Sequence, residues 1–215
     1  MGIPVMIMGA SGSGKSTSMR NMDGSSVGIL NVASKPLPFR NKNKLKVINN
    51  ATYQTIIRVL QKHTMKSYVI DDTQYLMAFE SFDRAKETGY GKFTDMARNF
   101  YDLVQFVIKQ TPDDCIVYFL HHTETNDFGK TKPKTLGKML DNQLTVEGLF
   151  SIVLMAEAES GQYYFITNSD GSNCCKSPME MFDLKIENDL AFVDKTIREY
   201  YGFEEGEKEN AAVQN

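Results

Sequence analysis

Short apolar runs recur along the chain with helix-like stretches between them. IPVMIMG (3–9), VGILNV (27–32), LKVIN (45–49), SYVID (67–71), CIVYFLHH (115–122), FSIVLMAE (150–157) and QYYFITN (162–168) are rich in Val, Ile, Tyr and Phe and are predicted as strands. Tyr53, Ile56, Ile57 and Leu60 repeat at the i, i+3, i+4, i+7 spacing of one helix face. Phe93, Met96, Ala97, Phe100, Val104 and Val107 do the same through the longest helical stretch. Strands alternating with such helices predict an α/β fold with a mainly parallel sheet, and the nearly continuous apolar runs suit strands covered on both faces. After residue 150 the pattern changes. FSIVLMAE and QYYFITN are separated only by AESG, which predicts an antiparallel hairpin added to the sheet. A last helix at about 188–201 uses Leu190, Val193, Ile197 and Tyr200. The expected organisation is one domain over 1–201 and an acidic tail at 202–215, which is too poor in large apolar residues to order.

Composition narrows the function classes. The chain has 215 residues, 41% hydrophobic and 24% charged, and no apolar run approaches the roughly 20 residues of a membrane span. It begins almost directly in an apolar run, without the basic stretch and small-residue cleavage site of a secretory signal, so a cytoplasmic location is expected. Cys115, Cys174 and Cys175 form neither a disulfide framework nor a metal-ligand spacing and read as reduced thiols. A net charge of −3 argues against coating of nucleic acid by the whole surface, so any such contact must be local.

The chemistry begins at GASGSGKST (9–17), between the first predicted strand and a predicted helix. It fits G-x-x-x-x-G-K-[ST], with Gly9, Gly14, Lys15 and Ser16 in the fixed places. Glycines let successive backbone N–H groups turn inward at phosphate oxygens, and the following helix adds its unpaired N–H groups and positive dipole end. The expected phosphate-binding set is Gly9, Ser11, Gly12, Ser13, Gly14, Lys15, Ser16 and Thr17, with Lys15 on the β- and γ-phosphates and Ser16 on Mg²⁺. SYVIDD carries Asp71 to the C-terminal end of a buried strand, where α/β sheets place their ligands; Asp71 is the expected partner of the metal. Asp72 either orients or deprotonates the attacking water or caps the helix that follows. CIVYFLHH ends another strand with His121 and His122, which point to opposite faces, so only one of them is expected to see nucleotide.

With GASGSGKS, SYVIDD and HHTE in this order, the chain resembles the small ATP-binding proteins of bacteriophages that have a RecA-like P-loop core, some of which act in single-strand annealing and recombination. KPLPF (35–39), LTVEGLFSIVLMAE (144–157), YYFITNSDG (163–171) and KSPMEMF (176–182) also look like that group, and the resemblance runs over about residues 3–201. It implies a RecA-like ATPase of the wider AAA P-loop group, with Mg·ATP as cofactor, His122 at the phosphate-sensing position, a homo-oligomeric state and the host cell cytoplasm as location. One feature departs from the pattern. RecA-like cores carry a catalytic glutamate just after the second strand, whereas NVASKPLPFR (31–40) has no carboxylate; either Asp72 takes over that role or ATP is turned over slowly.

Two lysine-bearing segments, 35–46 and 124–138, read as solvated loops or as contact surfaces. The resemblance favours single-stranded DNA, or a neighbouring subunit's nucleotide, as the partner of Lys130, Lys132 and Lys134, with Phe128 as a stacking surface. Two other functions compete with a recombination ATPase. A small-molecule P-loop kinase would bring an Arg-rich lid, yet only Arg84 and Arg98 follow SYVIDD closely. A nucleotide-controlled binding module would need no hydrolysis.

Overall fold

The computed structural model describes residues 1–40, 42–136 and 144–203. The expected acidic tail falls almost wholly outside the described residues, as does Lys138, the last lysine of the 124–138 segment.

The protein is an α/β molecule built on a mixed, mainly parallel sheet with helices on both faces. The apolar runs become β1 (Ile3–Gly9), β2 (Val27–Asn31), β3 (Lys46–Asn49), β4 (Ser67–Asp71) and β5 (Ile116–Thr125). Their parallel order is β3-β2-β4-β5-β1. β7 (Ile152–Glu159) continues the parallel part on the other side of β1. It turns back through Ser160 and Gly161 into antiparallel β8 (Gln162–Ile166), which pairs with β9 (Lys185–Glu187).

Alternation along the strands divides the core into two layers. Met6, Leu30, Tyr68, Ile70, Val117 and Phe119 face one layer with helices α1 (Tyr53–Leu60), α2 (Gln74–Asp83) and α3 (Gly91–Gln110). Val5, Ile7, Ile29, Val69, Tyr118 and Leu120 face the other, covered by Leu190, Val193 and Ile197 of α4 (Leu190–Tyr201). Because side chains alternate with period two, strands buried on both faces need apolar residues at successive positions, as their sequences have.

Three features differ from the sequence expectation. The segment after the glycine-rich loop forms only a short 3₁₀ helix, Ser16–Asn21. Ser, Thr and Asn are weak helix formers, and the Asp23 turn follows at once, its carbonyl accepting from the N–H groups of Ser26 and Val27. β5 runs past its histidines to Thr125 and returns through β6 (Thr131–Pro133) as an antiparallel hairpin. That pairing is made by backbone groups of polar residues, so hydrophobic periodicity does not announce it. β9 is likewise short and largely polar. Among the described residues no helix is long and apolar enough to cross a membrane.

Candidate functional site

The sheet order brings together the ends of three strands. β5 lies between β4 and β1, with Gly9 of β1 in register with His122 and Met8 with His121. Residues leaving β1, β4 and β5 at their C-terminal ends therefore converge on one patch, the position at which open α/β sheets hold ligands.

The loop after β1 is close-packed at its glycines. A Cβ at Gly9 would collide with Ser13 Oγ and stand 2.7 Å from the Ala156 carbonyl oxygen. Gly14 has φ +93°, and a Cβ there would lie 2.8 Å from the Tyr163 ring, so both geometry and space require glycine. Ser13 Oγ is buried without a hydrogen-bond partner. Lys15 is 6% exposed, and its Nζ donates back to the carbonyls of Gly9 (2.8 Å) and Ala10 (2.7 Å). Burial pulls the Lys15 ammonium down to about 8, against the upward pull of Asp72 and Asp71. From behind, Arg20 pairs with Glu187 at 3.1 Å and donates to the Asn188 carbonyl, while Asn21 donates to Asp189, the N-cap of α4.

Ser16 Oγ donates to Asp71 Oδ1 at 2.9 Å, joining residues 55 apart in the chain. Burial pushes the Asp71 carboxyl up to about 6, with the charge of Asp72 adding to the effect and the Ser16 hydroxyl opposing it. Among the described residues no group of three or more His, Cys, Asp or Glu is arranged to hold a metal by itself. The Ser16–Asp71 pair offers two oxygens of the kind that bind Mg²⁺ when phosphate oxygens complete the shell.

Asp72 has φ +64°, an uncommon left-handed backbone that Asp adopts more readily than most residues. Its side chain does not cap α2, which begins after Thr73. Asp72 Oδ2 instead lies 2.6 Å from Lys35 Nζ, and Oδ1 lies 3.3 Å from His122 Nε2. Lys35 and His122 thus flank a carboxylate that is otherwise buried. Burial alone would raise the Asp72 carboxyl; the contacts with His122 and Lys35 outweigh it and hold the group below its usual range. Tyr75 completes the patch, its ring edge-on to His122 with centroids 5.6 Å apart and the Lys35 ammonium 5.3 Å over its face.

The two histidines have different surroundings. His121 is fully buried beside Phe100, and its Nε2–H donates to the Lys134 carbonyl at 2.8 Å. A neutral ring bonded in this way has an acceptor at Nδ1, 2.7 Å from the Thr73 hydroxyl, whose single proton is shared between that nitrogen and the Leu120 carbonyl at 3.0 Å. Burial lowers the His121 ring to about 4. His122 faces Asp72, and its carbonyl accepts from Lys134 N–H at 2.8 Å. Both histidines thus hold the return leg of the β5–β6 hairpin.

Lys130 and Lys134 on that hairpin are exposed, Lys132 pairs with Glu124 at 3.3 Å, and Phe128 at the tip is 94% exposed. Arg84 is committed to Glu80, Glu87 and Asp95 at 2.7–3.2 Å, and Arg98 to Asp102 at 3.4 Å. Sequence reasoning left Lys35 among its loop lysines and gave Asn31 and Tyr75 no place at the site. Asn31 ends a buried strand as Asp71 does, and that was the available signal. No protein-family model matches the chain, and no curated protein matches it.

Proposed function

We propose that the chain is a P-loop ATPase with a RecA-like core that acts in bacteriophage DNA recombination or single-strand annealing. The observation that carries the reading is the Ser16–Asp71 hydrogen bond, which joins the Lys-Ser end of a glycine-rich loop to a strand-end carboxylate, with Asp72 and His122 alongside. The buried, unpartnered Ser13 hydroxyl and the crowded position of Gly9 support a loop shaped around an anion.

Lys15 exchanges the Gly9 and Ala10 carbonyls for the β- and γ-phosphates of ATP, and the backbone from Ser11 to Thr17 wraps the phosphates. With only a six-residue 3₁₀ helix behind the loop, local N–H groups and Lys15 contribute more here than any helix macrodipole. Ser16 and Asp71 hold Mg²⁺, which when bound neutralises charge developing on the phosphates. Asp72 accepts a proton from water as the water oxygen bonds to the γ-phosphorus; the bond from that phosphorus to the β–γ bridging oxygen breaks, giving ADP and phosphate. His122 touches Asp72 and connects the site to Lys134 through its carbonyl, so departure of the γ-phosphate is felt at the base of the β5–β6 hairpin. Lys130, Lys132 and Lys134 make local contacts to DNA phosphates there, and Phe128 offers a face to an unpaired base.

One observation favours the second reading, a nucleotide switch with little hydrolysis: the carboxylate assigned as base is already ion-paired with Lys35. The kinase reading gains nothing, because Arg84 is engaged by three carboxylates. Phosphate release from Mg·ATP, with and without single-stranded DNA and beside a panel of nucleoside acceptors, tests the assignment. DNA-stimulated phosphate release is the expected result. Binding of ATP without release supports the switch, and transfer to an acceptor overturns both.

A further inference from the structure

We infer that Lys35 is a nucleotide-responsive cation: it rests on Asp72 without nucleotide and moves to the terminal phosphate of a bound triphosphate. The inference builds on the nucleotide reading and assigns a phosphate-positioning residue at the place where a RecA-like core would carry a carboxylate.

The backbone of Lys35 is fixed. Asn31, 2% exposed at the end of β2, donates through Nδ2 to the Lys35 carbonyl at 2.8 Å and to Asn49 Oδ1 at 3.1 Å. Ser34 adopts φ +55°, and its hydroxyl receives the Asn50 N–H at 2.7 Å and donates to Asn50 Oδ1 at 2.8 Å. The ends of β2 and β3 therefore clamp the turn that presents Lys35, a restraint that an ordinary solvated lysine does not need.

The Lys35 side chain, by contrast, is able to move. It is 59% exposed, while the Asp72 carboxylate it meets is only 4% exposed. Their 2.6 Å contact is an ion pair whose cationic partner is mostly in solvent, so the ammonium can exchange Asp72 for another anion by turning its flexible stem. A chain of contacts runs from Ser16 to Asp71, then through adjacent Asp72 to Lys35. Lys35 also acts through its charge on Lys15 and on Asp71, so a phosphate held beside Ser16 and Lys15 comes within the field of the Lys35 ammonium.

Charge balance gives the direction of the exchange. In the nucleotide-free site Lys15 and Lys35 offset Asp71 and Asp72. A triphosphate remains net negative with Mg²⁺ bound, so its arrival leaves the site short of positive charge and draws in a nearby flexible cation. A diphosphate lacks the outermost group and leaves Lys35 on Asp72. Lys35 consequently discriminates ATP from ADP.

The test compares dissociation constants for Mg·ADP and a non-hydrolysable Mg·ATP analogue in the parent protein, Lys35→Met, Lys35→Arg and the double variant Lys35→Met/Asp72→Asn. The double variant leaves no bare carboxylate and covers the case in which Lys35→Met fails to fold. Preference for triphosphate over diphosphate is expected to drop about tenfold in Lys35→Met and in the double variant, and to be largely kept by Lys35→Arg. An unchanged preference in the folded Met variants overturns the inference while leaving nucleotide binding intact. A parent protein that binds neither nucleotide overturns the nucleotide reading and this inference with it.

Discussion

The hydroxyl of Ser16 and the carboxylate of Asp71 meet at 2.9 Å across the C-terminal edge of the sheet. If they hold Mg²⁺ together, removing either leaves phosphate binding by the loop but uncouples it from the metal. For Ser16→Ala and Asp71→Ala, ATP affinity with Mg²⁺ is expected to fall by roughly tenfold or more, towards the affinity measured in a chelator. Titrating a fluorescent ATP analogue with and without Mg²⁺ checks this, and a retained Mg²⁺ effect in both variants removes the pair from the metal site.

Variants at Lys15 and Asp72 are expected to separate binding from chemistry. Among the described residues Lys15 Nζ donates to the carbonyls of Gly9 and Ala10, so Lys15→Ala should keep the parent melting temperature within a few degrees while ATP affinity drops on the order of a hundredfold. Asp72→Asn keeps a side chain that tolerates the left-handed backbone at φ +64°; it should bind ATP and release phosphate about a hundredfold more slowly. Parent-rate release by Asp72→Asn means that another group is the base.

The β5–β6 hairpin is expected to couple DNA to nucleotide. Single-stranded DNA should bind more tightly with ATP than with ADP, and more weakly as salt rises, because phosphate contacts release counterions. Replacing Lys130, Lys132 and Lys134 with Ala should weaken binding and flatten the salt dependence while sparing ATP affinity. Oligonucleotide titrations at two salt concentrations, with light scattering to give the mass of the complex, read both the DNA contact and assembly. DNA binding that survives with its salt slope unchanged places the contact elsewhere.

His121 carries a pH signature. Its ring is held neutral, with the folded value lowered from 6.5 to about 4, so between those values the unfolded chain binds the extra proton. Stability from this group is complete above about pH 6.5 and is lost as pH falls towards 4, by on the order of 3 kcal/mol at most. Asp71 acts in the opposite sense: its raised carboxyl favours the fold as pH drops from about 6 towards 3.8. The difference between parent and His121→Gln unfolding curves at pH 7.5 and pH 5 isolates the histidine, and the variant should lose less stability on acidification. Equal losses would mean that His121 is already charged in the fold.

The strands carrying the candidate site were legible in the sequence because each is an apolar run: β1 and β4 have the expected bounds, and β4 ends at Asp71 beside Ser16. The C-terminal hairpin of β7 and β8 was legible from its Ser-Gly turn. What could not be read depends on backbone pairing or long-range charge. β6 joins β5 through the carbonyls and N–H groups of a polar stretch, and the 3₁₀ segment at Ser16–Asn21 reflects weak helix formers stopped by a turn. The Lys35–Asp72 contact is invisible to periodicity because it depends on β2 lying beside β4. The division of roles between His121 and His122 likewise required the positions of Thr73 and Asp72.

The 3₁₀ segment behind the glycine-rich loop leans on residues far along the chain, through Arg20 with Glu187 and Asn21 with Asp189. β1 also requires β5 on one side and β7 on the other before its strand is paired. The surroundings of the loop are therefore completed late in folding, because contacts of such long sequence separation form only after distant parts of the chain have come together. Removal of β9 and the residues up to Asp189 would leave Arg20 and Asn21 without these partners, so the rear support of the loop depends on a short polar strand distant in sequence.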